Sequence, residues 1–138
     1  MKQVLFVCVH NSGRSQMAEA FFNRLAGGRA RAVSAGTDPD GTVDSTVVQV
    51  MGEAGIDINN RQPKALTPEM IDRADMIVAM GCGVEDVCPA IFVEAEDWEL
   101  EDPKGKEPNE VREVRNKIRA RVMNLLEELG IQTSSSTP

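Results

Sequence analysis

An apolar run, Val4-Leu5-Phe6-Val7, passes directly into Cys8-Val9-His10-Asn11-Ser12-Gly13-Arg14-Ser15 and then into a helical pattern running to Leu25. This join constrains the fold more than any other stretch. A short, uninterrupted apolar run reads as a central strand buried on both faces. A strand followed at once by a helix must return to a parallel neighbour by a right-handed crossover. The same join also carries chemistry. A loop turning from a buried strand into a helix aims backbone N–H groups at one point, and the helix N-terminus adds partial positive charge, so an anion is held there. Arg14 adds a planar fork for two of that anion's oxygens. The same field favours the thiolate of Cys8, and Gly13 gives the turn backbone freedom. A cysteine, five residues and an arginine would alone be a weak signal, equally readable as a buried cysteine beside a surface arginine. The preceding strand, the following helix and Ser15 make it specific. Residues Val9, His10, Asn11, Ser12, Gly13 and Arg14 are therefore expected to line a cradle for a tetrahedral oxyanion, with Cys8 as the nucleophile.

The rest of the chain repeats the alternation. Ser15 to Leu25 places Met17, Ala18, Phe21, Phe22 and Leu25 on one helical face and stops at Gly27-Gly28. Ala30 to Ala35 reads as a second strand closing at Gly36, and Thr37 to Gly41 as loop. Asp44 or Ser45 can cap a helix through Val47, Val48, Met51 and Ala54, ending at Gly55. Residues 56–66 are irregular. Thr67-Pro68-Glu69-Met70 opens a short helix to about Arg73, Ala74 to Met80 is a third strand, and Ala90 to Val93 is the expected fourth. Val111, Val114, Ile118, Val122, Leu125, Leu126 and Leu129 form one apolar stripe at helical spacing. Strands alternating with helices imply an open α/β sheet with helices on both faces, whose ligands sit beyond the carboxyl ends of the strands. One catalytic domain is expected over residues 1–130, followed by a polar, disordered tail over 131–138.

Charge and cysteine content exclude other classes. The 138 residues carry a net charge of −7, which argues against a nucleic-acid or membrane-surface binder. Residues 1 to 34 nevertheless hold Lys2, Arg14, Arg24, Arg29 and Arg31 against Glu19 alone, whereas Glu94 to Asp102 hold six acids and no base. Met1-Lys2 leads straight into the first strand without a signal-peptide pattern, and no apolar run approaches the ~20 residues that a membrane span needs. A cytoplasmic location is expected. Three cysteines in such a chain do not suggest a structural disulfide framework.

Cys82 follows the third strand, between Gly81 and Gly83, with Cys88 six residues later. The ends of parallel strands share one sheet edge, so Cys82 could approach Cys8. Two buried, inert cysteines are the bland alternative. Asp102-Pro103 offers a carboxylic acid that could protonate a leaving oxygen, although Asp-Pro is also a common turn signal.

Cys8 to Ser15 with Gln16-Met17-Ala18-Glu19, the Ser34-Ala35-Gly36 triplet, the Cys82/Cys88 pair and Trp98 to Pro103 together resemble arsenate reductases of the low-molecular-weight phosphotyrosine phosphatase superfamily. The resemblance runs from the first strand to the last helix. It implies a three-layer sandwich around a four-stranded parallel sheet. It also implies reduction of arsenate to arsenite: Ser15 hydrogen-bonds Cys8, Asn11 braces the loop, and Asp102 gives the proton. Cys8, Cys82 and Cys88 then pass a disulfide along, to be reset by thioredoxin or a similar thiol reductant. His10, the chain's one histidine, stands where many relatives carry a small residue, and is read as a packing or surface residue. Some family members hold potassium with residues matching Asn11, Glu19 and Ser34. The sequence places no fourth ligand, so no metal or bound cofactor is assigned.

Two other readings compete. A low-molecular-weight protein tyrosine phosphatase would use the same cradle with Cys8, Arg14 and Asp102 to hydrolyse phosphomonoesters through a Cys8 phosphoenzyme. Against it stand the extra cysteine pair and the absence of tyrosine, since such phosphatases present aromatic residues near the Asp-Pro loop. A non-enzymatic arsenic-sensing or anion-binding module is the third, and no basic recognition helix accompanies the loop.

Overall fold

Alternation along the first strand decides the architecture. In the computed structural model, which describes residues 2–39, 41–80, 95–98, 100, 103 and 105–133, strand β1 spans Lys2–Cys8. Val4, Phe6 and Cys8 join one buried cluster, and Leu5 and Val7 join another. Period-2 geometry sends these two sets to opposite faces, so both faces must be covered. Helix α1 (Arg14–Ala26) follows, then β2 (Ala30–Gly36), α2 (Ser45–Glu53), α3 (Pro68–Arg73), β3 (Met76–Ala79), β4 (Ala95–Asp97) and α4 (Pro108–Glu128).

The sheet order is β2-β1-β3-β4, and all three pairings are parallel. Register sets Cys8 opposite Gly36 of β2 and Val7 opposite Ala79 of β3. Because β2 and β3 lie on opposite sides of β1, the order reverses at β1, and the loop leaving it opens into the resulting crevice. On one face α1, α2 and α4 cover Val4, Phe6 and Val78 with Phe22, Met51, Ile118 and Leu126. Phe6 lies edge-on to Phe22 at 6.0 Å and tilted against Trp98 at 5.6 Å. On the other face Met70 and Ile71 of α3 pack with Leu5, Val7 and Ala79. The result is the three-layer, parallel α/β sandwich expected.

Local signals behave as read. Gly27 takes φ of +57° past α1, Asp44 caps α2 by accepting from the Thr46 N–H at 2.9 Å, and Thr67 caps α3 by accepting from Met70. The α4 stripe is buried at Val111, Val114, Ile118, Val122, Leu125 and Leu126. Two differences stand out. The fourth strand is Ala95–Asp97, in the acidic stretch, because an edge segment can pair through its backbone without an apolar run; the expected site at 90–93 lies outside the described residues. Helix α1 buries not one face but nearly all of itself, including Arg14, Ser15, Gln16 and Glu19. After α4, Ile131 and Gln132 remain bonded, to the Leu126 carbonyl and from Arg29 respectively; residues 134–138 lie outside the description. Among the described residues, no helix is long and apolar enough to cross a membrane.

On the surface, Arg112 clasps the Glu53 carboxylate through two nitrogens at 2.8 and 2.7 Å, with Arg115 at 3.3 Å. The Arg112 hydrogen bonds, aided by the charges of Arg112 and Arg115, hold the Glu53 carboxyl below its usual value. A depressed acid stabilises the fold above its unfolded-state pKa and loses that contribution as pH falls through the folded one. Glu53→Gln should therefore melt slightly below the wild type at neutral pH, and the gap should close below about pH 4. Thermal melts across pH check this.

Candidate active site

The loop from β1 to α1 turns on Asn11, whose backbone takes φ of +51°. Asparagine tolerates this left-handed conformation better than most residues. Its side chain is fully buried and uses all of its hydrogen-bonding capacity. The Lys64 backbone N–H lies 2.8 Å from Oδ1. Because a backbone N–H can only donate, this contact fixes which end of the amide is oxygen. Gln16 Nε2 adds a second donor to Oδ1 at 3.1 Å, and is itself oriented by the Gln62 carbonyl at 3.2 Å. Asn11 Nδ2 must therefore face the other way, where it donates to Ser15 Oγ at 2.7 Å and Ser34 Oγ at 3.0 Å.

That orientation reaches the sulfur. Ser15 Oγ accepts from Asn11, so its own proton is available for Cys8 Sγ, 2.8 Å away. The Asn11 N–H donates to the same sulfur at 3.2 Å. Two donors converge on a buried thiol, an arrangement that suits a thiolate. On the far side, Ser34 accepts from Asn11 and donates to Glu19 Oε1 at 2.7 Å. Glu19 Oε2 in turn pairs with the Arg61 guanidinium, and Lys64 Nζ stands 3.7 Å from Oε1.

The rest of the loop is held by its carbonyls. Those of Cys8, Val9 and Ser12 accept from the N–H groups of Thr37 (3.1 Å), Asp38 (2.8 Å) and Asp44 (2.9 Å). None of the described peptide bonds is cis. Across a trans peptide, C=O and N–H point oppositely. The N–H groups of Val9, His10 and Gly13 are thus turned away from the segments that bind those carbonyls, as an anion cradle requires. His10 Nδ1 lies 3.1 Å from the Asp38 carbonyl and packs the loop edge. Gly36 allows the whole arrangement: a Cβ there would sit 2.6 Å from the Val9 carbonyl and 3.0 Å from Asn11.

The structure thus assembles Cys8, Val9 to Arg14 and Ser15 around one loop. Arg14 is buried, and its Nη1 donates to the Leu100 carbonyl at 3.0 Å. A Cβ on Gly13 would meet the Pro103 ring at 2.8 Å. Leu100 and Pro103, on either side of position 102, therefore stand against the loop. Asp102, Cys82 and Cys88 themselves lie outside the described residues. Sequence reading did not assign Gln16, Arg61, Lys64 or the role of Gly36. Of these only Gly36 left a signal, as the glycine closing a strand opposite the loop.

Potassium does not suit this donor set. Glu19 already meets two cationic side chains, and the side chains of Ser34 and Asn11 are committed to one another. A further cation there would face fixed positive charge, so no step is assigned to one.

Comparison with known proteins is consistent with this geometry. The family model "Low molecular weight phosphotyrosine protein phosphatase" matches residues 3–135. A Synechocystis protein called "Glutaredoxin arsenate reductase" is 39% identical over 135 residues, covering 94% of this chain and all of that protein. A solved arsenate reductase in the phosphate-binding state is 37% identical with a TM-score of 0.83, covering 93% of this chain and 98% of that one. A low molecular weight protein tyrosine phosphatase from T. tengcongensis is 28% identical with a TM-score of 0.81, covering 93% and 99%.

Gly36→Ala should destabilise the protein by about 1–3 kcal/mol, because its Cβ would press on backbone rather than on a yielding side chain. Gly41→Ala, which opens onto empty space, should stay within about 0.5 kcal/mol of the wild type. Denaturant melts of the pair provide the comparison.

Proposed function

This chain belongs to the low molecular weight phosphotyrosine protein phosphatase family, and we propose that within it the protein is an arsenate reductase working with an external thiol reductant. The observation that carries the choice of redox over hydrolysis concerns β3. This strand ends opposite Val7, the next residue, Met80, donating its N–H to the Val7 carbonyl at 2.8 Å, and the sequence reaches Cys82 two residues later. The sequence thus carries a second thiol just past the end of a strand that neighbours β1, and a phosphomonoester hydrolase does not need one.

Arsenate enters the cradle formed by the loop N–H groups and Arg14. The Cys8 thiolate, kept by the Ser15 hydroxyl and the Asn11 N–H, attacks arsenic and forms an S–As bond. One arsenate hydroxyl departs as water after accepting a proton from Asp102. The Cys82 thiolate then attacks the Cys8 sulfur. The S–As bond breaks with its electron pair moving to arsenic, so arsenic(V) leaves as arsenite and a Cys8–Cys82 disulfide remains. Cys88 attacks Cys82, freeing Cys8 as thiolate and leaving a Cys82–Cys88 disulfide. A dithiol of thioredoxin or glutaredoxin type reduces that bond, taking the oxidation onto itself. The relative named for glutaredoxin supports a protein thiol as reductant without choosing between the two. The cycle is suited to the cytoplasm, where Cys8 stays reduced between turnovers.

The phosphatase reading remains the second, because the T. tengcongensis phosphatase shares the fold and the cradle accepts phosphate as readily as arsenate. The absence of tyrosine to flank an aryl ring weighs against it.

Arsenate-dependent turnover, measured with both a thioredoxin and a glutaredoxin system, tests the proposal. Cys82→Ser and Cys88→Ser should each lose multiple turnover, and Cys88→Ser should still release about one arsenite per enzyme. Full multi-turnover reduction by both variants would sink the three-cysteine scheme. Asp102→Asn should slow the first step about 100-fold, read from pre-steady-state arsenate consumption.

A further inference from the structure

The hydrogen bonds behind Cys8 end on a carboxylate that lies inside the domain. The Glu19 side chain is 9% exposed, projecting from the middle of α1 toward β2. A charge this buried needs a fixed partner. Arg61 supplies it: its guanidinium pairs with Glu19 Oε2 from a segment without regular structure. Lys64 also approaches, but its ammonium is 3.7 Å away and 43% exposed, and its closer contribution is the backbone N–H on Asn11.

The sense that the Lys64 N–H gives the chain of bonds suits that charge. An ionised Glu19 can only accept, so Ser34 must donate to it and keep its lone pairs for Asn11. A neutral Glu19 could donate to Ser34 instead, and Ser34 would then lose the acceptor that fixes its own proton. Arg61, always charged, stands against Glu19 Oε2 as its counter-ion.

We propose that Arg61 is a positioning residue of the active site: a built-in counter-ion for Glu19 that, through Ser34, Asn11 and Ser15, keeps the Ser15 proton on the Cys8 sulfur. It rests on Cys8 being the reactive thiol, as in the preceding proposal, and occupies the charge-balancing place that potassium would otherwise take. Arg61 also lines a groove of about 440 Å³ with Thr42, Val43, Asn60 and Gln62, which opens to solvent. Removing its charge would leave Glu19 without a close cation beside a solvent-facing groove.

The test is the rate of iodoacetamide alkylation of Cys8 at pH 7 in a Cys82→Ser/Cys88→Ser background, where Cys8 is the one remaining thiol. Arg61→Gln should slow alkylation about ten-fold and Arg61→Lys less than about two-fold. Glu19→Gln should also slow it, and Arg61→Gln added to Glu19→Gln should cost nothing further, because Arg61 acts through Glu19. The unsubstituted Arg61 protein should react equally in KCl and NaCl at matched ionic strength, whereas Arg61→Gln should be partly restored by one of them. An unchanged rate in folded Arg61→Gln, or additive losses in the double variant, would overturn the proposal. So would a potassium requirement with Arg61 in place, and this arm needs no variant at Arg61 to fold. Alkylation consumes no arsenate, so a protein that shows this pattern yet reduces none would refute the reductase reading alone.

Discussion

One backbone hydrogen bond, from the Lys64 N–H to Asn11 Oδ1, sets the direction of every polar contact behind the nucleophile. It decides that Asn11 presents its nitrogen to Ser15 and Ser34, hence that Ser15 presents its proton to Cys8 and Ser34 its proton to Glu19. A side-chain amide is nearly symmetrical in shape, and only a partner that cannot reverse its role breaks the tie. The left-handed backbone of Asn11 serves the same end, because it lets one residue give its N–H to the sulfur and its side chain to the interior.

The consequence is a helix that is polar and buried at once. Along α1, Met17, Phe21, Phe22 and Leu25 enter the apolar core, while Ser15, Gln16 and Glu19 enter the hydrogen-bonded layer under the loop. Buried polar groups of this kind are tolerated where they find partners, as these do except at Gln16 Oε1, which is buried without one among the described residues. Reactivity and fold stability therefore share the same bonds. The joint at Gly36 shows how tightly: backbone of the loop and backbone of β2 approach where no side chain fits.

Charge follows the same logic. The molecule is strongly acidic as a whole, yet its first 34 residues carry one acid, Glu19. That acid is the inner end of the network, and its counter-charge comes from Arg61, 42 positions away in sequence. Arg14 is likewise drawn into the framework, donating to the Leu100 carbonyl from the segment that carries Asp102 and Pro103. The arginine of the loop thus joins the cradle to the segment bearing the expected acid.

Sequence alone determined what depends on neighbours along the chain. The unbroken run at Val4 to Val7 could only be a strand covered on both sides; the stripe from Val111 to Leu126 could only be a helix with one buried face. The spacing of Cys8, Arg14 and Ser15 identified the loop, since strand, turn and helix leave local periodic marks. The β4 strand at Ala95–Asp97 left none, because an edge strand pairs through backbone. Nor did the support of the site. Lys64 contributes an N–H, Gln62 and Leu100 contribute carbonyls, and every residue type except proline's missing N–H offers the same groups. Only the tertiary fold could bring these, and the Arg61 charge, to Asn11, Arg14 and Glu19, because a partner chosen for its backbone or for its place carries no signature of its own.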